Sequence, residues 1–211
     1  MKLYDYFRSS AAYRTRIALN LKGLAYEQVP VHLARDGGEH KRSEYRAINP
    51  QARVPALELD GGTVLIQSPA ILEYLEETHP EPALLPGDPA RRAKIRAVAA
   101  IIGCDIHPLN NVSVLNYLRG PLGQPEDAVN AWYASWIAQG FEAIEALAEG
   151  GPFILGDTPS MADVYLVPQI YNARRFKVPL DAYPAIRRAD TAAAGLEAFA
   201  NAAPDRQPDA E

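Results

Sequence analysis

The sequence predicts a two-domain protein in which a small α/β layer is followed by a domain built only of helices. Strand and helix patterns alternate over residues 2–77, a proline-rich stretch follows at residues 79–89, and strand patterns are absent beyond it. A chain of 211 residues suits one large domain or two small ones. Hydrophobic residues make up 48% and charged residues 22%, which is the balance of a globular protein with a packed core.

A strand and a helix open the chain. Lys2–Phe7 (KLYDYF) has the aromatic and apolar character of a strand. Over residues 11–22 the apolar side chains gather toward one side at helical spacing, and we expect Arg14, Arg16 and Lys22 to face solvent. A glycine follows at the position where a C-cap glycine ends a helix.

Three further strands complete the layer. Tyr26–Leu33 is the first of them, and its Pro30 favours an edge of the sheet. After a polar stretch with a short helical piece, Ala56–Leu59 and Val64–Ile66 are joined by an Asp-Gly-Gly hairpin turn. Ser68–Glu77 is a helix with proline at its first helical position. A parallel first pair, an antiparallel second pair and flanking helices describe a thioredoxin-like layer.

We expect the thioredoxin-like domain to span residues 1–80, a linker residues 81–89 and an all-helical domain residues 90–211. The candidate helices of the second domain are Arg91–Ile106, Asp127–Glu149, Ser160–Tyr171, Tyr183–Thr191 and Gly195–Ala202. Ser160-x-x-Asp163 is a capping box, so we assign Asp163 to folding rather than to catalysis. The polar, proline-rich tail from residue 204 onward is expected to fray.

Charge and composition exclude several classes of function. The net charge of −5 gives no general attraction for nucleic acid or anionic lipid. No apolar run of about 18 residues is present, and residues 1–10 lack the apolar stretch of a signal peptide. The single Cys104 cannot form an internal disulfide, which suits a reducing cytoplasm, and no two histidines have metal-ligand spacing. We expect a cytoplasmic protein without a metal.

The junction of the first strand and helix carries the sequence Arg8-Ser9-Ser10. The first backbone N–H groups of a helix are unpaired, and their partial positive charge favours an anion or a thiolate. A serine hydroxyl placed there can donate a hydrogen bond to such a sulfur. Taken alone, the same letters describe an ordinary serine cap, which is the commoner case.

Two other segments suggest contacts for a peptide-like ligand. In a thioredoxin-like layer, a cis Pro55 opening the third strand would expose the backbone N–H and C=O of Val54 for strand-like pairing. Gln67-Ser68 precedes Pro69, which places the Ser68 hydroxyl and N–H at a helix N-terminus, where a carboxylate binds well. A plain serine cap satisfies this second pattern too.

Together these segments resemble the cytosolic glutathione transferases, and within them the zeta class, which includes the maleylacetoacetate isomerases. The class is marked by Ser-Ser-Cys-x-x-Arg-x-Arg-Ile-Ala-Leu, which stands here as SSAAYRTRIAL at residues 9–19. NPQARVPAL at residues 49–57 and QSPAI at residues 67–71 are similar to the family's glutathione-binding segments. GCDIHP at residues 103–108 and ADVYLVPQ at residues 162–169 are similar to bacterial zeta-type isomerases. The resemblance covers essentially the whole chain.

The resemblance implies a set of site residues and a ligand, glutathione. Ser9 is expected to hydrogen-bond the glutathione sulfur with Ser10 beside it, and both are assigned as catalytic. Val54 is expected to pair with glutathione through its backbone, and Gln67 and Ser68 to bind the γ-glutamyl carboxylate. Gln51 and His40 are expected to reach the glycyl end. His107 and Asn111 match glutathione-binding positions that line the cleft from the helical domain. Arg8 and Arg175 match substrate-binding positions. Taken alone, His40 is a loop histidine and His107 a helix-end histidine with a structural hydrogen bond.

The family implies an activity, with alternatives. We expect a glutathione-dependent cis–trans isomerase that converts maleylacetoacetate to fumarylacetoacetate in tyrosine and phenylalanine catabolism, and a homodimer. Maleylpyruvate isomerisation, glutathione transfer to α-halo acids, and a regulatory role in glutathione binding without turnover are the alternatives. The one departure from the family pattern is Ala11, where the family often has cysteine. A covalent role for a protein thiol at this turn is therefore excluded.

Overall fold

The computed structural model describes residues 1–211 and divides them into two compact units. The first unit comprises residues 1–84 and 194–211, and the second comprises residues 85–193. The change from one unit to the other at residue 85 falls inside the predicted linker. The final segment from Ala194 was expected to belong with the helices that precede it, but it is grouped with the first unit.

The first unit contains a four-stranded sheet in the order β2-β1-β3-β4. Its strands are β1 (Lys2–Asp5), β2 (Glu27–Pro30), β3 (Ala56–Glu58) and β4 (Val64–Ile66). β1 pairs in parallel with β2 and antiparallel with β3, and β3 pairs antiparallel with β4. The thioredoxin-like pairing and the edge position of Pro30 are confirmed. β2 is shorter than the predicted Tyr26–Leu33, since the ladder ends where Pro30 lies opposite Asp5.

Nine α-helices follow one another along the chain. They are α1 (Ser10–Leu21), α2 (Ser43–Ile48), α3 (Ser68–Thr78), α4 (Pro89–Ala100), α5 (Val112–Arg119), α6 (Glu126–Leu147), α7 (Met161–Arg175), α8 (Pro184–Ala194) and α9 (Glu197–Ala200). In the first unit α1 packs against both α3 and α9. Its core contains Leu3, Ile17, Leu57 and Leu72, which are completely buried.

Three cations of α1 and its C-cap are buried, although the sequence pattern placed them in solvent. Arg14 is 2% exposed and Arg16 and Lys22 are also buried. The Lys22 ammonium donates to a Glu76 carboxylate oxygen at 2.6 Å and to the Pro82 carbonyl at 2.7 Å. The prediction was wrong because α1 is covered on two sides by α3 and α9, and a buried cation is tolerated when acceptors surround it.

The second unit contains helices and no strand, as predicted. α4 continues into a π-helical segment, Ile101–Ile106, and α5 was not among the predicted helices. At the start of α7 the capping box is confirmed: the Asp163 carboxylate accepts from the Ser160 N–H and the Ile154 N–H, each at 2.9 Å. No helix in either unit combines the length and apolar character needed to cross a bilayer.

The tail does not fray as its composition suggested. Pro204–Arg206 forms a 3₁₀ turn, and Pro204 and Gln207 are buried. The Gln207 amide donates to the carbonyls of Asn201 at 2.9 Å and Ala203 at 2.7 Å. Because these side-chain bonds replace those that a regular element would supply, a segment with no sequence periodicity is still ordered.

Candidate active site

The turn between β1 and α1 presents Ser9 at the start of a helix. The Ser9 N–H donates to the Tyr6 carbonyl at 2.9 Å, and the Ser9 hydroxyl oxygen accepts from the Ala12 N–H at 3.2 Å. The predicted cap is therefore present. A hydroxyl oxygen that accepts from the backbone keeps its own proton for donation, so the cap geometry leaves Ser9 able to donate to an incoming anion. Capping and anion binding are compatible here.

The two serines of this turn differ in accessibility. Ser9 is half-buried, whereas Ser10 lies in the first turn of α1 and is 7% exposed. Arg8 is exposed; its guanidinium donates to the Tyr6 hydroxyl at 2.9 Å and lies 4.9 Å from the centre of the Phe7 ring. The greater accessibility of Ser9 favours it over Ser10 as the hydrogen-bond donor to a bound anion. Arg8 adds a cation to the same turn.

The peptide bond between Val54 and Pro55 is cis, as the fold placement predicted. The preceding loop is fixed at the Arg53 carbonyl, which accepts from the Tyr45 hydroxyl and the Asn49 amide, each at 2.6 Å. Val54 precedes β3, so its N–H and C=O lie outside the sheet ladder. Both groups are therefore placed for pairing with an extended ligand.

A hydrophobic cluster connects this loop with the Ser9 turn. Its buried members are Tyr6, Phe7, Val31, Tyr45 and Val54. Tyr6 and Phe7 begin the turn that leads to Ser9, and Val54 is the residue before the cis peptide bond. The Ser9 turn and the Val54 loop, two of the three predicted segments, are therefore held together by one hydrophobic cluster.

The third segment lies at the start of α3. Gln67 has φ 71°, a left-handed conformation that a residue with a side chain rarely adopts and that is typical of functional sites. The Gln67 amide donates to the Gln51 side-chain oxygen at 2.5 Å. Ser68 is buried at the first position of the helix. The sequence assigned Gln51 and Gln67 to opposite ends of glutathione, but their side chains are in contact.

Arg14 is a candidate site residue that the sequence interpretation missed. Its guanidinium is buried and donates to the Ser68 hydroxyl oxygen at 3.3 Å. A buried positive charge beside the N-terminus of α3 strengthens that end as a carboxylate site. A signal was present in the sequence, since Arg14 is three and four residues before Ile17 and Ala18 and therefore shares their buried helix face.

His40 lies in the loop after β2, against the backbone of Gly38. A Cβ atom on Gly38 would lie 2.4 Å from the His40 Cε1 atom, so only glycine fits beneath the ring. Burial lowers the pKa of the His40 imidazole, and the nearby Lys41 acts in the same direction. Both effects favour the neutral imidazole, which donates through one nitrogen only.

The remaining predicted residues belong to the second unit. His107 follows the π-helical segment, and Asn111 is the N-cap of α5, with its side-chain oxygen accepting from the Ser113 N–H at 3.0 Å. Asn111 thus has a structural role that the sequence did not assign. The neighbouring arginines of α7 differ, because Arg174 pairs with Asp190 whereas the exposed Arg175 has its guanidinium 5.2 Å from the Phe176 ring centre.

The donors of the first unit match the groups of a γ-glutamyl tripeptide thiol. Ser9 offers a hydroxyl proton at a helix N-terminus, which suits a thiolate. Val54 offers an unpaired backbone edge, which suits a peptide. Ser68, with Arg14 behind it, suits a carboxylate. A thiolate, a peptide backbone and a carboxylate are the three kinds of group that glutathione carries.

Comparison with known proteins defines the class. Residues 3–83 match the family model of the glutathione S-transferase N-terminal domain, and residues 127–189 match that of the C-terminal domain. The chain belongs to the glutathione S-transferase family. Within the family it is 58% identical over 209 residues to the maleylacetoacetate isomerase of Pseudomonas aeruginosa, covering 99% of this chain and 98% of that protein.

Two solved structures agree with this relationship. The holo structure of maleylpyruvate isomerase, a bacterial zeta-class glutathione S-transferase, has 53% sequence identity, a TM-score of 0.96 and complete coverage of both chains. Maleylacetoacetate isomerase from Anaeromyxobacter dehalogenans, with dicarboxyethyl glutathione and citrate in its active site, has 46% identity and a TM-score of 0.88. The match covers 100% of this chain and 93% of that one. The resemblance to the zeta class is confirmed.

Proposed function

We propose that this protein is a glutathione-dependent cis–trans isomerase of maleylacetoacetate. The observation that carries the proposal is the geometry of the Ser9 turn at the start of α1. The Ser9 hydroxyl oxygen accepts from the Ala12 N–H, so its proton is available to donate to the glutathione sulfur. The 58% identity to a maleylacetoacetate isomerase over nearly the whole chain supports the substrate. When bound, glutathione supplies a thiolate that adds reversibly to the conjugated double bond and so permits rotation.

The residues of the first unit divide the task of binding. Ser9 donates to the sulfur and stabilises its ionised form, as does the N-terminus of α1. The backbone of Val54 pairs with the peptide part of the ligand. Ser68 and Gln67 take the γ-glutamyl carboxylate, and Gln51, which contacts Gln67, lies at that same end.

The substrate's two acidic ends require cations. An arginine guanidinium suits a carboxylate because its planar fork donates two hydrogen bonds. Arg8 lies in the same turn as Ser9, so it is assigned to the substrate carboxylate nearer the carbons that react with the sulfur. Arg175 presents an exposed guanidinium at the end of α7 and serves the other carboxylate. His40, His107 and Asn111 complete the proposed glutathione site.

The deciding experiment mixes the pure protein with glutathione and maleylacetoacetate and follows the trans product. Ser9→Ala is expected to lower kcat by about 10²-fold, because it removes one donor to the developing charge. Ser43→Ala, at an exposed helix terminus, is the matched control and should retain the wild-type rate. Glutathione binding without any turnover would replace this proposal with a regulatory binding role.

Maleylpyruvate is the second candidate substrate, since the maleylpyruvate isomerase structure superposes with a TM-score of 0.96. The ratio of kcat/KM for the two maleyl substrates decides between them. Arg175→Ala should raise KM for the preferred substrate by about 10-fold while sparing the Kd for glutathione, which is the expected result when one charge-assisted contact is lost. Arg174→Ala is the matched control, because Arg174 is already paired with Asp190.

We also propose a cytoplasmic location and a homodimer. The single cysteine and the glutathione requirement support a reducing compartment. Sedimentation of the purified protein tests the dimer, and a mass equal to one chain of 23.1 kDa would overturn it.

A further inference from the structure

The tail of the chain, which we call the C-terminal strap and define as residues 202–211, lies against the turn that presents Ser9. We propose that Asp209 of this strap is a positioning residue for the sulfur site, because its carboxylate holds the backbone of the Ser9 turn. The inference rests on the proposed function, since it assigns the strap a part in presenting the sulfur donor.

The contact between strap and turn is made at Phe7. One oxygen of the Asp209 carboxylate accepts from the Phe7 N–H at 3.0 Å. The Phe7 carbonyl accepts from the Arg16 guanidinium at 2.9 Å, and the Tyr6 carbonyl accepts from the Ser9 N–H at 2.9 Å. Both peptide groups of Phe7 are thus fixed by charged side chains two residues before the proposed sulfur donor.

The strap is itself anchored at both ends. Arg16, which grips the Phe7 carbonyl, also donates to the Ala202 carbonyl at 2.9 Å. Near the other end, Glu211 pairs with Arg35 at 2.8 Å. An anchored strap transmits its position to Phe7, which a loose tail could not do.

The middle of the strap is tied to the sheet. The Gln207 side-chain oxygen accepts from the Gln28 amide at 3.2 Å, and Gln28 also donates to Asp5 at 2.6 Å. Gln28 lies within β2 and Asp5 ends β1, so this bridge fixes Gln207 against both strands. Asp209 is therefore held two residues beyond a buried anchor and cannot swing freely.

The Asp209 side-chain oxygen gives the Phe7 N–H a hydrogen-bond partner inside the fold and so acts as a clamp on this part of the turn. Without the clamp, Phe7 and the residues after it lose one of the bonds that define the turn. Displacement of a catalytic donor by about 1 Å can cost as much as 10²-fold in rate. Because Ser9 keeps its cap to Ala12, we expect a smaller loss of about 10-fold in kcat on removal of the clamp.

Geometry and charge make opposite predictions for the bound thiol. A misplaced Ser9 hydroxyl stabilises the thiolate less, which raises the thiol pKa. Removal of a nearby negative charge by itself lowers the thiol pKa. Asp209→Ala removes both the clamp and the charge, whereas Asp209→Asn removes the charge and keeps an oxygen that accepts from Phe7. The two variants therefore separate positioning from simple electrostatics.

The test is an ultraviolet titration of the glutathione thiolate bound to the full-length protein, together with kcat for the preferred maleyl substrate. We expect Asp209→Ala to raise the thiol pKa and lower kcat about 10-fold, and Asp209→Asn to leave kcat near the wild-type value. Asp205→Ala is the matched control, because Asp205 is exposed on the same strap. Melting temperatures confirm that each variant is folded.

A double variant connects the effect to Ser9. In a Ser9→Ala background, Asp209→Ala should change the thiol pKa and kcat little, because the group that the strap positions is gone. An equal effect in both backgrounds would overturn the inference. So would a thiol pKa in Asp209→Ala that is unchanged or lowered while the wild type binds glutathione. Failure of the wild type to bind glutathione would overturn the proposed function and this inference together.

Discussion

The buried ion pair between Arg16 and Asp5 should dominate the stability of the first unit. Both side chains are completely buried, and the guanidinium donates to the two carboxylate oxygens at 2.8 and 2.7 Å. Arg16 also donates to the carbonyls of Phe7 and Ala202, each at 2.9 Å. Arg16→Met preserves most of the side-chain volume but leaves the Asp5 charge and two carbonyls without these donors.

We expect Arg16→Met to lower the free energy of unfolding by about 3–5 kcal/mol, which is the usual cost of removing one member of a buried ion pair. Asp5→Asn combined with Arg16→Met should recover part of this loss, because the stranded charge is removed. Arg42→Met is the matched control. Its partner Asp36 and Arg42 itself are both largely exposed, so the loss should be about 0–1 kcal/mol.

The effect of pH gives an independent check. Burial raises the pKa of Asp5, while the ion pair with Arg16 acts in the opposite direction. Loss of Arg16 removes the main effect that opposes burial and leaves the hydrogen bond from Gln28, so the folded state of Arg16→Met takes up a proton at a pH where the unfolded chain has none. The stability of the variant therefore falls as pH rises through the carboxyl range, and its deficit is larger at neutral than at acidic pH.

Urea unfolding followed by circular dichroism measures both effects. Wild type, Arg16→Met, the double variant and Arg42→Met are compared at neutral and mildly acidic pH. A deficit of Arg16→Met no larger than that of Arg42→Met would refute the reasoning. A deficit that does not shrink on acidification would refute the assignment of its cause to the stranded Asp5 charge.

Two further predictions concern individual side chains. Burial lowers the pKa of His40, so as the pH drops below the ordinary histidine value of about 6.5 the unfolded chain binds a proton before the folded protein does. The free energy of unfolding should therefore fall with pH in this range. In urea titrations His40→Gln should weaken this pH dependence, whereas the control His79→Gln should retain it. Asp163→Ala removes the acceptor of the Ser160 and Ile154 N–H groups and should cost about 3 kcal/mol in the same assay, against little for the exposed Asp157→Ala.

Local patterns in the sequence were sufficient for most of the elements. The Asp-Gly-Gly turn placed the β3–β4 hairpin, and proline after Ser68 placed the start of α3. Both features depend on a few adjacent residues whose backbone preferences are strong. α5 was missed because it has only eight residues, and two of its large hydrophobic side chains, Val112 and Tyr117, are exposed.

The candidate site was predictable in part for the same reason. Ser9 at a strand–helix junction, Val54 before a cis proline and Ser68 at a helix start are each visible as local motifs, and their combination pointed to the family. Their spatial union was not visible, because it depends on the packing of Tyr6, Phe7 and Val54 in one hydrophobic cluster. Contacts between residues distant in sequence have no local signature.

The sequence alone thus determined the two-domain class, the parallel and antiparallel strand pairs and the three segments expected to bind glutathione. Only the tertiary structure decided that Arg16 is buried and that the strap lies against the Ser9 turn. The reason is physical: helical periodicity reports which side of a helix is apolar, but not whether acceptors elsewhere in the chain will surround a charge. The partners of Arg16 lie at positions 5, 7 and 202, and only folding brings the last of these to the helix.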